Sequence, residues 1–173
     1  SKILQKDVLV IVDEAYYEFS GKTCKDLIDD YSNLVILRTF SKWAGLAGMR
    51  IGYGIMNPSL VSHLLIIKPP YNISVAAEIA VKASLDDLEL LLERVEIIKN
   101  EREWMFDRLS EIPFMEPIPS DANFILTKIV NLESVELYNR LLSKGILVRY
   151  YENELLKNYL RISIGSREQN QKL

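Results

Sequence analysis

Short apolar runs set between polar stretches divide the first third of the chain. Asp7-Val8-Leu9-Val10-Ile11-Val12-Asp13 is an apolar run bounded by acids, without alternation, and predicts a strand covered on both faces as in a parallel sheet. A second run, Leu34 to Arg38, predicts another buried strand, and Ile51 to Ile55 predicts a third, shortened and closely packed by its glycines. Between the first two, Gly21 breaks the chain and Cys24 to Asp30 suggests a short helix. From Pro58 the period changes. Asn57 caps and Pro58 starts a helix to about Lys68, and Pro69-Pro70 stops it. Ser74 caps a second helix to about Leu85. Leu88, Leu91, Leu92, Val95, Ile98, Met105 and Leu109 then keep 3.6-residue spacing in a long helix from about Asp86 or Asp87 to Ser110. Past Pro113 the pattern is α+β. It predicts a strand over Ala122 to Lys128, a helix from Leu132 to Ser143 stopped by Gly145, and strands at Ile146 to Tyr150 and Leu160 to Ile164, with Arg167 to Asn170 able to open one more helix.

These elements imply an α/β first piece (1–86), a linking helix (87–112) and a small α+β unit (113–173). A three-strand piece is short for an open sheet, so it reads as part of a larger, mostly parallel one, and the chain as a fragment. Composition agrees with a globular chain: of 173 residues, 49% are hydrophobic and 26% charged. The net charge of −3, with basic residues dispersed among acids, gives no nucleic-acid footprint, and no apolar run is long enough for a membrane helix. The single cysteine, Cys24, excludes an intrachain disulfide. His63, the only histidine, lies in an apolar helical stretch and reads as structural.

Candidate chemistry gathers where strands end. Four of the seven glycines (Gly45, Gly48, Gly52, Gly54) fall in or beside the stretch from Thr39 to Tyr53. Within it, Lys42 and Arg50 stand among apolar and small residues, a setting that would strip water from the lysine amine and favour its nucleophilic form. Asp13 closes the first strand, with Tyr16 three residues on; Arg149 and Arg161 fall on late strands. Singly, each has a plain reading: Asp13 as a turn cap, Tyr16 and Tyr17 as core aromatics, Arg161 as a solvated face. Together they describe one anion site at Ser41 and Arg50, an amine at Lys42, a buried strand-end carboxylate at Asp13 and a second anion site at Arg161. A phosphorylated aldehyde cofactor with a protonatable ring nitrogen calls for that set.

The blocks Asp13-Glu-Ala-Tyr16-Tyr-Glu-Phe19 and Thr39-Phe-Ser-Lys42, leading through Leu-Ala-Gly to Arg50-Ile-Gly-Tyr, resemble the pyridoxal-phosphate-dependent aminotransferases of fold type I. Within that family the chain looks most like the histidinol-phosphate aminotransferases. Further matches are Pro70-Tyr-Asn72-Ile-Ser74, Pro119-Ser120-Asp-Ala-Asn123-Phe124, and Val148-Arg149 followed by Leu160-Arg161-Ile-Ser-Ile-Gly165. The matched blocks extend over nearly the whole chain in family order. Trp43 departs from the family, which more often has a small residue there.

The resemblance implies pyridoxal 5'-phosphate as cofactor and a part for each candidate. Lys42 would hold the cofactor as a Schiff base and carry the proton between it and the substrate carbon. Asp13 would pair with the ring nitrogen, Tyr16 with the ring 3-oxygen, and Ser41 and Arg50 with the phosphate. Arg161, with Arg149, would bind the substrate's far anion; Asn123 receives no role. The implied reaction is transamination of histidinol phosphate with 2-oxoglutarate or glutamate in histidine biosynthesis. The implied setting is a homodimer, cytoplasmic or, in a plant-like source, plastidial. Family members carry a glycine turn, a stacking aromatic and an asparagine before the Asp13 strand, so this piece would hold the Lys42 half of a site and be inactive alone. The alternatives left open are an aromatic aminotransferase, a threonine-phosphate decarboxylase, and a regulatory domain that keeps the fold without turnover.

Overall fold

The computed structural model describes residues 2–173, in two compact units, Ser1–Leu92 and Glu93–Leu173, that divide inside the longest helix. The first unit is built on a three-stranded sheet in the order β1 (Val10–Asp13), β2 (Leu34–Thr39), β3 (Gly52–Met56). β1 and β2 are parallel, with Val10 opposite Leu34, Val12 opposite Ile36 and Asp13 opposite Leu37; β2 and β3 are antiparallel. Successive side chains on a strand take opposite faces. Val10, Val12, Leu34 and Ile36 therefore share one face, where they pack with Leu4, Leu27, Ile28 and Tyr31. Ile11 and Asp13 take the other.

The first strand is shorter than the apolar run that predicts it. It is four residues long, not seven; it forms an edge of the described sheet; and its burial alternates, leaving Ile11 57% exposed. Asp13 is exposed as well. An edge strand with one face covered can bury only every second side chain. The stretch around Cys24 is a short 3-10 turn, Lys25–Leu27, and Cys24 is a free thiol. A four-residue helix, α1 (Tyr17–Ser20), follows β1 and ends on Gly21 in the left-handed conformation.

Helices α2 (Pro58–Ile67) and α3 (Val75–Asp86) start where the caps predict, with the Asn57 side-chain Oδ1 accepting from Ser59 N and the Ser74 hydroxyl from Ala77 N. His63 is exposed on α2, its Nδ1 2.7 Å from the Ser59 carbonyl. No helix among the described residues is long and apolar enough to cross a membrane. Helix α4 (Leu88–Ser110) is the long amphipathic helix.

In the second unit α4 contributes Met105 and Leu109 to a core completed by a four-stranded antiparallel sheet and α5 (Ser134–Ser143). The strand order is β4 (Met115–Pro117), β5 (Phe124–Ile129), β7 (Tyr159–Ser163), β6 (Arg149–Tyr150). β4 is not predicted, because three residues among prolines carry no readable period. β6 keeps only two residues of the run Ile146 to Tyr150. The last helix, α6 (Arg167–Gln171), begins in a capping box at Ser166 and Gln169. It is held to α4 by Glu101, which accepts from Arg167 Nε and from Asn170 Nδ2, all at 3.0 Å; the Arg167 guanidinium also lies 4.3 Å from the centre of the Trp104 ring.

Two predictions follow from this packing. A Cβ on Gly52 would stand 2.5 Å from the Arg38 carbonyl oxygen, backbone that cannot swing away. Gly52→Ala should therefore cost about 1–3 kcal/mol in denaturant unfolding, the usual penalty of overpacking. The Arg167 hydrogen bonds hold the Glu101 carboxyl below the usual range against the opposing effect of burial. A lowered folded pKa gives stability that is present above the unfolded value of about 4.3 and lost as pH falls through the folded one. Glu101→Gln should destabilise the protein by about 1–3 kcal/mol at pH 7, and the gap from wild type should close below about pH 4.

Candidate functional site

The carboxyl end of β1 and the segment after β2 bring most of the candidates of the first unit near one another. Asp13 Oδ1 accepts from Ala15 N at 3.0 Å, which turns the chain toward Tyr16, the N-cap of α1. Asp13 and Tyr16 both line a cavity of about 330 Å³, together with Glu14, Tyr17, Lys22 and Thr23. The Lys42 amine lies 5.7 Å from the centre of the Tyr16 ring. A carboxylate and a phenol thus share one cavity at the strand end, with an amine beside the phenol ring.

Beyond β2 the segment is shaped by hydroxyl and backbone contacts. The Thr39 hydroxyl accepts from Ser41 N at 3.0 Å and donates to Ser41 Oγ at 2.9 Å, so Ser41 is fixed two residues past the strand. Gly45 adopts φ +70°, a left-handed turn that disfavours side chains, and Leu46 N returns to the Phe40 carbonyl. Trp43 turns inward, 8% exposed and 5.6 Å from Phe40 between ring centres, and Lys42 turns outward. Lys42 is therefore exposed and not desolvated by its own segment, which corrects the expectation from its apolar neighbours. Arg50 is also exposed, in a left-handed conformation with φ 54°, and its Nη1 donates to the Ala47 carbonyl at 2.9 Å. Trp43, the departure from the family pattern, lines a second cavity of about 420 Å³ with Glu18, Phe40, Tyr53 and Leu88; neither its Nε1 nor Glu18 Oε2 has a hydrogen-bond partner. Burial pushes the Glu18 carboxyl up, more than its backbone hydrogen bond and Arg38 pull it down.

In the second unit, Arg149 on β6 and Arg161 on β7 are directly opposed across the sheet. Like charges in that register repel, an arrangement that an anion between them would relieve. Arg161 lies 5.1 Å from the Phe124 ring centre, and its buried Nε has no hydrogen-bond partner; Arg149, exposed, lies 5.7 Å from the ring of Tyr151. Asn123 gives its backbone carbonyl to Ile164 N.

Sequence reasoning passed over the residues that tie the first site together. Glu14 is buried next to Asp13, and both of its oxygens are engaged. Arg38 Nε and Nη2 donate to Oε2 at 3.0 and 2.9 Å, the Thr23 hydroxyl donates at 2.9 Å, and Cys24 N donates to Oε1 at 2.7 Å. The Arg38 guanidinium lies 3.5 Å from the centre of the Tyr17 ring. The signal was present in the strand period: Arg38 follows Leu34 and Ile36 at inward positions, where a charge needs a partner.

The whole chain, residues 1–173, matches the family described as aminotransferase class I and II. Over 167 residues it is 46% identical to histidinol-phosphate aminotransferase of Dehalococcoides mccartyi, an alignment covering 96% of this chain and 47% of that protein. The chain thus spans about half the length of the curated relatives it matches. Among solved structures, histidinol-phosphate aminotransferase from Clostridium acetobutylicum superposes with a TM-score of 0.85 at 32% identity, over 94% of this chain and 51% of that one. The Sinorhizobium meliloti histidinol-phosphate aminotransferase, solved in complex with pyridoxal-5'-phosphate, gives 0.81 at 28%, over 94% and 46%. The two sheets, the strand-end cluster and these likenesses agree: the chain belongs to the class I and II aminotransferases and has the fold type I architecture of their pyridoxal-phosphate-dependent members.

Proposed function

We propose that the protein containing this chain uses pyridoxal 5'-phosphate to transfer an amino group between histidinol phosphate and 2-oxoglutarate or glutamate, as a homodimer. The observation that carries the reading is that Asp13 and Tyr16 share a cavity at the carboxyl end of β1 and the Lys42 amine lies beside the Tyr16 ring, in a chain 46% identical to a histidinol-phosphate aminotransferase.

The donor set fits the cofactor. Asp13 offers a carboxylate to a ring nitrogen, Tyr16 a phenol to a ring oxygen, Ser41 and Arg50 hydrogen-bond donors to a phosphate, and Lys42 an amine to an aldehyde. When bound, pyridoxal phosphate supplies an electron-accepting ring that stabilises the charge left on the substrate carbon. Lys42 Nζ takes the proton from that carbon and returns it, a role suited to an amine on a flexible stem. Asp13 keeps the ring nitrogen protonated through a charge-assisted hydrogen bond. Thr39 positions Ser41, and the left-handed backbone at Arg50 directs the guanidinium. Arg149 and Arg161 bind the substrate's anionic group, the phosphate in histidinol phosphate, and that anion offsets their mutual repulsion.

In full-length protein incubated with pyridoxal phosphate and reduced with borohydride, peptide mapping should find the cofactor fixed to Lys42, and Lys42→Ala should abolish that adduct. An adduct retained on another lysine would overturn the assignment. For the second site, inorganic phosphate should raise the thermal midpoint of wild type. Occupancy at ten times Kd is worth about 1.4 kcal/mol. The rise should shrink in the Arg149→Gln/Arg161→Gln double variant; an equal rise in both proteins removes these arginines from the anion site.

A further inference from the structure

The inward face of the sheet carries a sequence of paired positions that changes character at its end. Val10 faces Leu34 and Val12 faces Ile36, both apolar pairs. The next pair in the same alternation is Glu14 with Arg38, because Glu14 N continues the ladder by donating to the Leu37 carbonyl at 2.8 Å. An apolar pair would satisfy this position at least as well. Replacing a buried ion pair by hydrophobic residues is often neutral or stabilising, since the pair repays its desolvation only in good geometry. What an ion pair adds is a single allowed arrangement. The fork of Arg38 on Glu14 Oε2 fixes both strand ends, where apolar side chains could slide.

Each residue that the pair touches leads to a group of the candidate site. Glu14 follows Asp13 directly. Arg38 stands four residues before Lys42, with Thr39 and Ser41 between. Tyr17, stacked on the guanidinium, follows Tyr16. Thr23 closes the set, accepting from Arg38 Nη2 at 2.8 Å and donating to Glu14. By alternation Asp13, Leu37 and Thr39 belong to the opposite face of the same strands, while Glu14 and Thr23 also line the cavity that Asp13 and Tyr16 share. The titratable groups around it are Glu18 and Tyr17 of α1, Tyr53 of β3, which is paired in register with Arg38, and Cys24, whose backbone N–H donates to Glu14. Burial disfavours the Arg38 charge, but Glu14 and Tyr53 outweigh it and raise its pKa, so the guanidinium stays charged.

We propose that Glu14 and Arg38 are positioning residues. Their buried ion pair sets where Asp13 and Tyr16 stand relative to Lys42, and so tunes the acidity of the cofactor–Lys42 linkage. This rests on the reading of Lys42 as the cofactor-bearing residue.

The test compares full-length wild type with Glu14→Met, Arg38→Met, the Glu14→Met/Arg38→Met double variant and Arg38→Lys. Two quantities are read: the thermal midpoint and the pH midpoint of the bound cofactor's visible absorbance. Each single Met variant leaves a buried charge unpaired and should melt well below wild type. The double variant removes one charge of each sign, leaves net charge unchanged and should regain most of the thermal midpoint. Its pH midpoint should nevertheless stay displaced upward by about half to one unit, because a displaced Tyr16 donor no longer favours the deprotonated linkage. Arg38→Lys keeps the charge but loses the fork. It should melt within a few degrees of wild type and show the same displacement, which also covers the case of a double variant that does not fold. A wild-type pH midpoint in either folded variant overturns the proposal and leaves the pair a purely structural one. Failure to fix any cofactor on Lys42 in wild type is a different result: it overturns the site reading and the positioning role with it.

Discussion

Parity along two short strands governs the first unit. Because side chains alternate, placing Val10 and Val12 against Leu34 and Ile36 sends Ile11 and Asp13 to the other face, and Leu37 and Thr39 with them. A one-residue slip would turn Asp13 inward and a valine outward. The register that buries the aliphatic pairs is therefore the register that leaves Asp13 exposed on the other face. Glu14 and Arg38 continue the inward series in charged form and end it with a contact that tolerates little sliding.

The same logic applies to the second unit. Alternation on β7 buries Leu160 and Ile162 in the core and leaves Arg161 between them on the opposite face. The antiparallel pairing with β6 then sets Arg149 directly across from it. A sheet selected for stability alone would avoid two arginines in register. Their opposition, the partnerless Arg161 Nε and the aromatic rings beside both guanidinium groups suit an anion that arrives from outside the chain.

The helices and the α/β character were legible because their signals are local. Caps at Asn57 and Ser74 and the apolar stripe from Leu88 to Leu109 fall where the sequence put them. That Lys42, Asp13, Tyr16 and Ser41 stand at strand ends was legible, because strand ends and glycine turns mark the places where polar groups gather. Their environments were not legible. Lys42 has apolar neighbours in sequence, yet the turn at Gly45 buries Trp43 and leaves the amine exposed. Sequence proximity says what a residue is joined to and not which way its side chain is turned.

By itself, the sequence determined the order of the longer elements, the capped starts of α2 and α3, the family blocks and the residue types at each strand end, all of which depend on contacts within a few residues. The tertiary structure decided what depends on distant partners. It brought Glu14 to Arg38 over 24 residues and Glu101 to Arg167 over 66, set Arg149 against Arg161, and turned Lys42 outward beside a buried Trp43. The physical reason is common to all four. A charge or an apolar side chain has no fixed meaning until the fold supplies the group, or the water, that faces it.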